Sequence, residues 1–206
     1  MRQNVPAFTE PERLLAHSEN NADLRGTGVN NGETKMSAPS NLKDLYVHEL
    51  KDLVSANDQM RETLGKLHKA AEHDGLKKHL KKSIDGLEKH TSTVEQLLSD
   101  MGESGKKHCK GMEGLCKEAE KHAIEEAPHL NAVQDASIVA QFQRLSHYGI
   151  TGFGTAAAFA EGLGKSDHAK QLDEITATIY CSDEEMTSLA EDCINCAAKA
   201  GQTADA

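Results

Sequence analysis

The chain has 206 residues, a formal net charge of −10, 37% apolar residues and only 3% aromatic residues. This length fits one domain of ordinary size plus a tail, since single domains usually span roughly 100 to 200 residues. The absence of Trp and the abundance of Ala, Leu, Glu and Lys favour helices over strands. An acidic chain is a poor general binder of phosphate backbones, so no nucleic-acid partner is expected.

The sequence contains no run of roughly 18 apolar residues that would predict a membrane span. Its first residues, MRQNVPAFTEPERLLAHSENN, lack the uninterrupted apolar core of a secretory signal. We therefore expect a cytoplasmic protein without a membrane partner. The five cysteines are an odd number, and a reducing compartment would leave them as free thiols.

Residues 1–40 are rich in Asn, Gly, Ser and Pro and show little apolar periodicity. This composition predicts an extended or disordered N-terminal arm. The alternative is an arm that packs on a neighbouring subunit. Residues 41–200 are predicted to form a helix bundle, and residues 201–206 a frayed tail.

Helical periodicity begins at Asn41, with Ser40 or Asn41 as the expected N-cap. The first apolar stripe, with one acid in it, runs through Leu42, Leu45, Glu49, Leu53, Ala56, Met60, Leu64 and Leu67. A break at residues 73–75 precedes a second amphipathic helix that ends near Gly102. Because only a few residues join these two helices, we expect them to lie antiparallel.

A short connecting helix is predicted over residues 110–127, ending before Pro128. A third long helix is predicted over residues 131–163, and a fourth runs from after Gly164 to about Lys199. Interior glycines of the third helix (Gly149, Gly152 and Gly154) each cost about 0.5 to 1 kcal/mol relative to Ala, which predicts close backbone packing in compensation. The pattern is four long helices and one short connector.

Several short motifs, in order and with their spacing kept, resemble the YciE/YciF-like branch of ferritin-like proteins, which are bacterial helix bundles of stress-associated role. The resemblance covers about residues 41–190. It rests on ELKDLVSA at 49–56, Cys109 with MEGL at 112–115, Asp135-Ala136, the segment 143–148 with its His-Tyr pair, Gly154-Thr155, and AEGLG at 160–164. It implies an all-α, ferritin-like antiparallel four-helix bundle with a short crossover helix between helices 2 and 3.

The resemblance also implies where a dinuclear metal site would lie. Such a site needs roughly four to six ligands that converge in mid-bundle, mostly Glu with His at helical spacing. The matching positions in this chain hold no acid: they are Asn57, Gly86, His90, Ser146, His147, Gly149, Thr178 and Ile179. Asp183 survives one turn beyond the expected cluster. These are interpreted as vestigial dimetal positions, so no cofactor and no catalytic residue is predicted.

Two other kinds of chemistry stay open. His90 and His147 could bind a single ion such as zinc, with Asp183 or a cysteine, because imidazole can hold zinc; the alternative is two core-edge histidines satisfied by hydrogen bonds. Cys193 and Cys196 are candidate redox thiols. The alternative is small apolar filling, since both lie in a helical pattern.

The sequence therefore favours a non-catalytic, ferritin-like structural or stress-associated protein that acts through a homodimer, a higher homo-oligomer or partner binding. The competing hypothesis is a metal-binding ferritin-like protein, with a single ion at His90 and His147 or residual peroxide or iron oxidation. A third is a thiol-based sensor that uses Cys193 and Cys196.

Overall fold

The computed structural model describes residues 38–202, and the predicted arm lies almost entirely outside this range. The described residues form six α-helices, without strands among residues 38–202. The helices are α1 (Leu42–Ala70), α2 (Asp74–Asp100), α3 (Lys110–Glu120), α4 (Asn131–Gly162), α5 (Ser166–Leu189) and α6 (Asn195–Gln202). The all-α class is confirmed.

The four long helices α1, α2, α4 and α5 form the bundle. Helix α1 packs against α2 and α4, and α4 packs along α5. The crossover helix α3 connects α2 to α4 and lies on α1 and α4, as the resemblance implies. One turn of π-helix (Lys121–Glu125) follows α3, and another (Ala190–Ile194) joins α5 to α6, where the sequence predicts one unbroken helix.

Helix ends follow the capping residues. The side chain of Asn41 accepts a hydrogen bond from the backbone N–H of Asp44 at 2.9 Å, which confirms Asn41 as the N-cap of α1. Gly102 and Gly164 end α2 and α4 with φ values of 74° and 69°, a left-handed conformation that favours glycine. Local chemistry thus sets where the long helices stop.

The core consists of two buried clusters, one toward each end of the bundle. The first joins the second half of α1 to the first halves of α2 and α4 and to α3. The second joins the first halves of α1 and α5 to the second halves of α2 and α4. The predicted stripe of α1 is buried from Leu53 onward, but Leu42 and Leu45 are each 37% exposed, because the first turn of α1 lies at the end of the bundle.

The turn between α1 and α2 is held by a side chain from α4. Asp135 is buried, and its two carboxylate oxygens accept hydrogen bonds from the backbone N–H groups of Glu72 and His73, each at 2.9 Å. One aspartate therefore ties three helices together at this end of the bundle.

The glycines of α4 differ in their surroundings. A Cβ on Gly152 would lie 2.8 Å from Leu53 Cδ2, so this glycine does allow close packing against α1. A Cβ on Gly149 would make ordinary contact with Ile179 at 3.4 Å, and Gly154 faces open space. The expectation of compensating close packing is confirmed for Gly152 and wrong for Gly154. No helix in the described part of the chain is long and apolar enough to cross a membrane.

Candidate functional site

The middle of the bundle contains a cavity of about 140 Å³. Members of both core clusters line it, including Leu53 and Phe153 from one and Met60 and Phe142 from the other. The cavity therefore lies between the two clusters, halfway along the bundle. Most of the vestigial dimetal positions lie together in its wall: Asn57, Gly86, His90, Ser146, Gly149, Thr178 and Ile179.

The polar groups that line the cavity are mostly neutral. Asn57 is buried and donates from Nδ2 to the hydroxyl of Thr91 at 3.2 Å. Ser146 is only 1% exposed, and its hydroxyl has no hydrogen-bond partner among the described residues. Among the described residues, Glu185 is the one carboxylate that lines the cavity; it is exposed and pairs with Lys82 at 2.7 Å, so its charge is already balanced.

His90 is the histidine of the cavity wall. Its ring meets Phe153 edge-on, with centroids 6.0 Å apart, and its Nδ1 is buried without a hydrogen-bond partner within residues 38–202. Burial, with a smaller contribution from Lys89, lowers the pKa of His90 from 6.5 to about 4. The imidazole is therefore neutral at neutral pH, where one ring nitrogen donates and the other accepts.

His147 and Asp183 lie apart from this cavity. The side chain of His147 is 61% exposed, and its Nε2 lies 3.3 Å from Asp183 Oδ2. Neither residue lines the cavity wall that holds His90. The structure thus pairs the exposed His147 with Asp183, whose side chain is only 16% exposed and whose Oδ1 is buried without a hydrogen-bond partner among the described residues. Both lie apart from His90 in the cavity wall.

The donor set does not fit a dinuclear metal centre. Two divalent ions need several anionic oxygens, and the positions that would supply them hold one amide, two hydroxyls, two glycines and one isoleucine. Across residues 38–202, no group of three or more His, Cys, Asp or Glu side chains is arranged to hold a metal ion. The buried hydroxyl of Ser146 and the neutral His90 instead suit hydrogen bonding to a neutral group.

The cysteines divide by exposure. Cys193 and Cys196, the candidate redox thiols, are exposed near the junction of α5 and α6, and Cys181 is exposed as well. Cys109 and Cys116 are buried, and burial raises the pKa of both thiols. All five cysteines are free.

A polar network that the sequence did not predict joins α3 to α1 and α4. The Cys109 thiol lies 2.8 Å from the Tyr148 hydroxyl, which donates to Asp52 Oδ2 at 3.0 Å. The Cys109 backbone N–H donates to Ser55, and the Cys109 sulfur caps α3 by accepting from Met112 N–H at 3.3 Å. Cys109 and Tyr148 both belong to the motifs that carry the family resemblance, and this shared membership is the sequence signal that could have indicated the network.

Comparison with known proteins agrees with this architecture. Protein YciF from Escherichia coli K12 is 30% identical over 156 residues, which cover 75% of this chain and 93% of that protein. The crystal structure described as the E. coli stress protein YciF matches with a TM-score of 0.69 and 31% identity, covering 76% of this chain and 99% of the other. A second solved structure, described as YcfI, a putative structural protein from Rhodopseudomonas palustris, matches with a TM-score of 0.70 and 27% identity, covering 74% of this chain and 97% of the other.

The family resemblance seen in the sequence is therefore confirmed, and with it the ferritin-like fold. The sequence model of the family described as "Domain of unknown function (DUF892)" matches residues 41–199, which is nearly the whole of the described bundle. The chain belongs to the DUF892 family and is a homologue of YciF.

Proposed function

We propose that this chain is a non-catalytic, ferritin-like structural protein of the stress-associated type, which acts through homo-oligomerisation or partner binding after loss of its dimetal site. The observation that carries this proposal is the lining of the central cavity. Asn57, Gly86, Ser146 and Gly149 are neutral, and the remaining carboxylate at the rim is paired with Lys82.

The descriptions of two solved relatives also support a structural or stress-associated role. One solved relative is described as a stress protein and another as a putative structural protein. Both cover about three quarters of this chain and nearly all of their own length. A role in assembly needs the bundle and its surface, not a reactive centre.

Metal analysis tests the loss of the dimetal site. Protein purified without chelators should contain well under one equivalent of iron, manganese or zinc, and it should not accelerate oxidation of ferrous iron or consumption of peroxide. One equivalent or more that disappears in the double variant H90A/H147A would contradict the proposal and support the single-ion hypothesis. Because His90 and His147 lie at separate places, H90A and H147A should also be measured singly.

Assembly is tested separately. Leu42, Leu45 and Tyr180 are large apolar or aromatic side chains that are exposed in the described part of the chain, and we take them as candidate contacts in a homodimer or a higher homo-oligomer. Sedimentation velocity at micromolar concentration should show a species of at least twice the chain mass. A monomer under those conditions would contradict homo-oligomerisation and leave binding to another protein as the form of the proposal to test.

A further inference from the structure

The central cavity has the size and lining of a binding site for a small organic molecule. Cavities of about 150 Å³ lined by Leu, Ile and Phe admit benzene, and the cavity between α1, α2, α4 and α5 measures about 140 Å³. Leu53, Met60, Phe142 and Phe153 form apolar parts of its wall and are nearly fully buried. A single ring therefore matches the volume.

The lining also favours an aromatic ring over an alkyl chain. Phe142 and Phe153 supply ring edges and faces, and aromatic pairs gain stabilisation beyond simple area burial. Met60 and Met112 also line the wall, and methionine sulfur contacts aromatic rings favourably. The edge-on packing of His90 on Phe153 shows that the wall already supports such contacts.

His90 and Ser146 line this wall, and each carries a polar side-chain atom. His90 Nδ1 and Ser146 Oγ are buried, and neither makes a hydrogen bond among the described residues. A buried polar atom without a hydrogen bond lowers the stability of the fold. A ligand that carries a hydrogen-bonding group would therefore bind favourably at this site. A hydroxyl suits both atoms, because it donates to an imidazole nitrogen and accepts from a serine hydroxyl.

The charges of the cavity select against an ion. Lys82 and Glu185, the charged residues of the wall, pair with each other at the side where α2 faces α5. His90 is neutral because burial lowers its pKa. A charged guest would lose its hydration without gaining an unpaired counter-ion.

We infer that the cavity binds a neutral aromatic alcohol of about phenol size, with its ring between Phe142 and Phe153 and its hydroxyl at His90 and Ser146. The inference rests on the proposed loss of the dimetal site, since a metal centre would occupy the same wall. The inference adds a ligand class to the proposed function: the bundle would bind a small neutral amphiphile and not an ion.

Calorimetric titration of the full-length protein with phenol, benzene and benzoate tests this inference. Phenol should bind at millimolar concentration or below and about tenfold more tightly than benzene, which lacks the hydroxyl, and benzoate should not bind. S146A should weaken phenol binding about threefold to tenfold and leave benzene binding unchanged. Because the Ser146 hydroxyl makes no hydrogen bond to the described part of the chain, this variant should fold as well as the wild type.

A cavity-filling variant checks the location. A Cβ on Gly86 would meet only His90 Cε1, at 3.9 Å, so G86L has room to fill the cavity and gains helix propensity. It should abolish phenol binding while the protein stays folded by circular dichroism. G65L is the matched control, since Gly65 also lies in a helix with open space beside it but does not line this cavity.

Several results would overturn the inference: no heat from phenol at millimolar concentration, equal affinity for phenol and benzene, binding of benzoate as tight as that of phenol, or full phenol binding in G86L. Metal content, measured on the same preparation, separates the two proposals. Protein that carries metal contradicts the proposed function. Metal-free protein that does not bind phenol contradicts only this inference.

Discussion

The sulfur of Cys109 and the phenol oxygen of Tyr148 lie 2.8 Å apart, which links the first residue before α3 to the middle of α4. The same hydroxyl donates to Asp52 on α1 at 3.0 Å. Burial, with Cys109 and Asp52 close by, raises the pKa of Tyr148 above its ordinary value, so the hydroxyl keeps its proton at neutral pH. One tyrosine thus fastens the crossover helix to two helices of the bundle.

Removing the Tyr148 hydroxyl should weaken the attachment of the crossover helix α3 to the bundle. We expect Y148F to lower the free energy of unfolding by about 1 to 2 kcal/mol, because Asp52 and Cys109 each lose a partner in a partly buried setting. Urea denaturation followed by circular dichroism measures the change. Y180F is the matched control, since Tyr180 is 51% exposed, and an equal loss in both variants would contradict the role given to Tyr148.

Asp135 should be a second fastening point. D135N keeps the shape of the side chain but replaces one of two accepting oxygens, so one of the N–H groups of Glu72 and His73 is left unpaired. We expect a loss of about 2 kcal/mol in the free energy of unfolding, since hydrogen bonds to a charged group are the stronger kind.

Hydrogen exchange locates the effect of D135N. The amides of Glu72 and His73 should exchange faster in the variant, while amides in the middle of α5 should change only by the global loss of stability. D173N, at an exposed position of α5, is the control. Unchanged protection at residues 72 and 73 would show that Asp135 does not hold the turn.

Two glycines of α4 should respond to alanine with opposite signs. In G152A the new methyl group would lie 2.8 Å from Leu53, which is 1% exposed and has little room to move, so we expect a loss of about 1 to 2 kcal/mol. In G154A the methyl group meets open space, and the better helix propensity should stabilise by about 0.5 to 1 kcal/mol. Thermal denaturation of the two variants beside the wild type measures this, and shifts of the same sign would contradict the packing described at Gly152.

The cavity wall shows how far a helical pattern alone can predict a site. Phe142, Ser146, Gly149 and Phe153 recur at spacings of four and three, so they share one face of α4, and all of them line the cavity. His147 follows Ser146 directly and so points about 100° away around the helix, toward the exposed side. Helical periodicity is therefore enough to place Ser146 and His147 on different faces of α4, although the family resemblance assigned both to the same vestigial metal site.

Other features depend on contacts that no local pattern contains. The π-helical turn at Ala190–Ile194 lies inside a stretch with an ordinary helical period, and the tie from Asp135 to the turn before α2 joins residues more than 60 positions apart. Gly152 and Gly154 look alike in sequence, and only the position of Leu53 distinguishes them. Partners brought by the tertiary fold decide these cases.

The thiols should divide into two classes by reactivity. Cys181, Cys193 and Cys196 are exposed and should react with a disulfide reagent in the native protein, whereas Cys109 and Cys116 should react only after unfolding, because burial hides them and raises their pKa. Titration before and after mild peroxide then tests the sensor hypothesis. A loss of Cys193 and Cys196 that dithiothreitol reverses would support it, and five unchanged thiols would rule it out.

The buried histidines should make the protein less stable in mild acid. Burial lowers the pKa of His90 to about 4 in the folded chain, against 6.5 for an unperturbed histidine, so between these values the unfolded chain binds more protons than the folded one. The stabilising effect of a neutral His90 is complete above about pH 6.5 and is lost as the pH falls toward 4. Between pH 6.5 and 5 this loss is at most about 2 kcal/mol, and His79 and His168, whose pKa values burial also lowers, act in the same direction.

Urea denaturation at a series of pH values from about 7.5 to 5 measures this dependence. H90Q removes the titrating ring, so the variant should lose part of the wild-type slope in that range even if its stability at neutral pH is lower. H129Q removes one exposed histidine and should keep the wild-type slope. The half-buried carboxyl of Glu49 cannot produce the same result, because burial raises its pKa and its titration therefore favours the folded state toward acid. If H90Q keeps the full pH dependence of the wild type, His90 is not held neutral by burial. The cavity would then lack the uncharged wall that phenol binding requires.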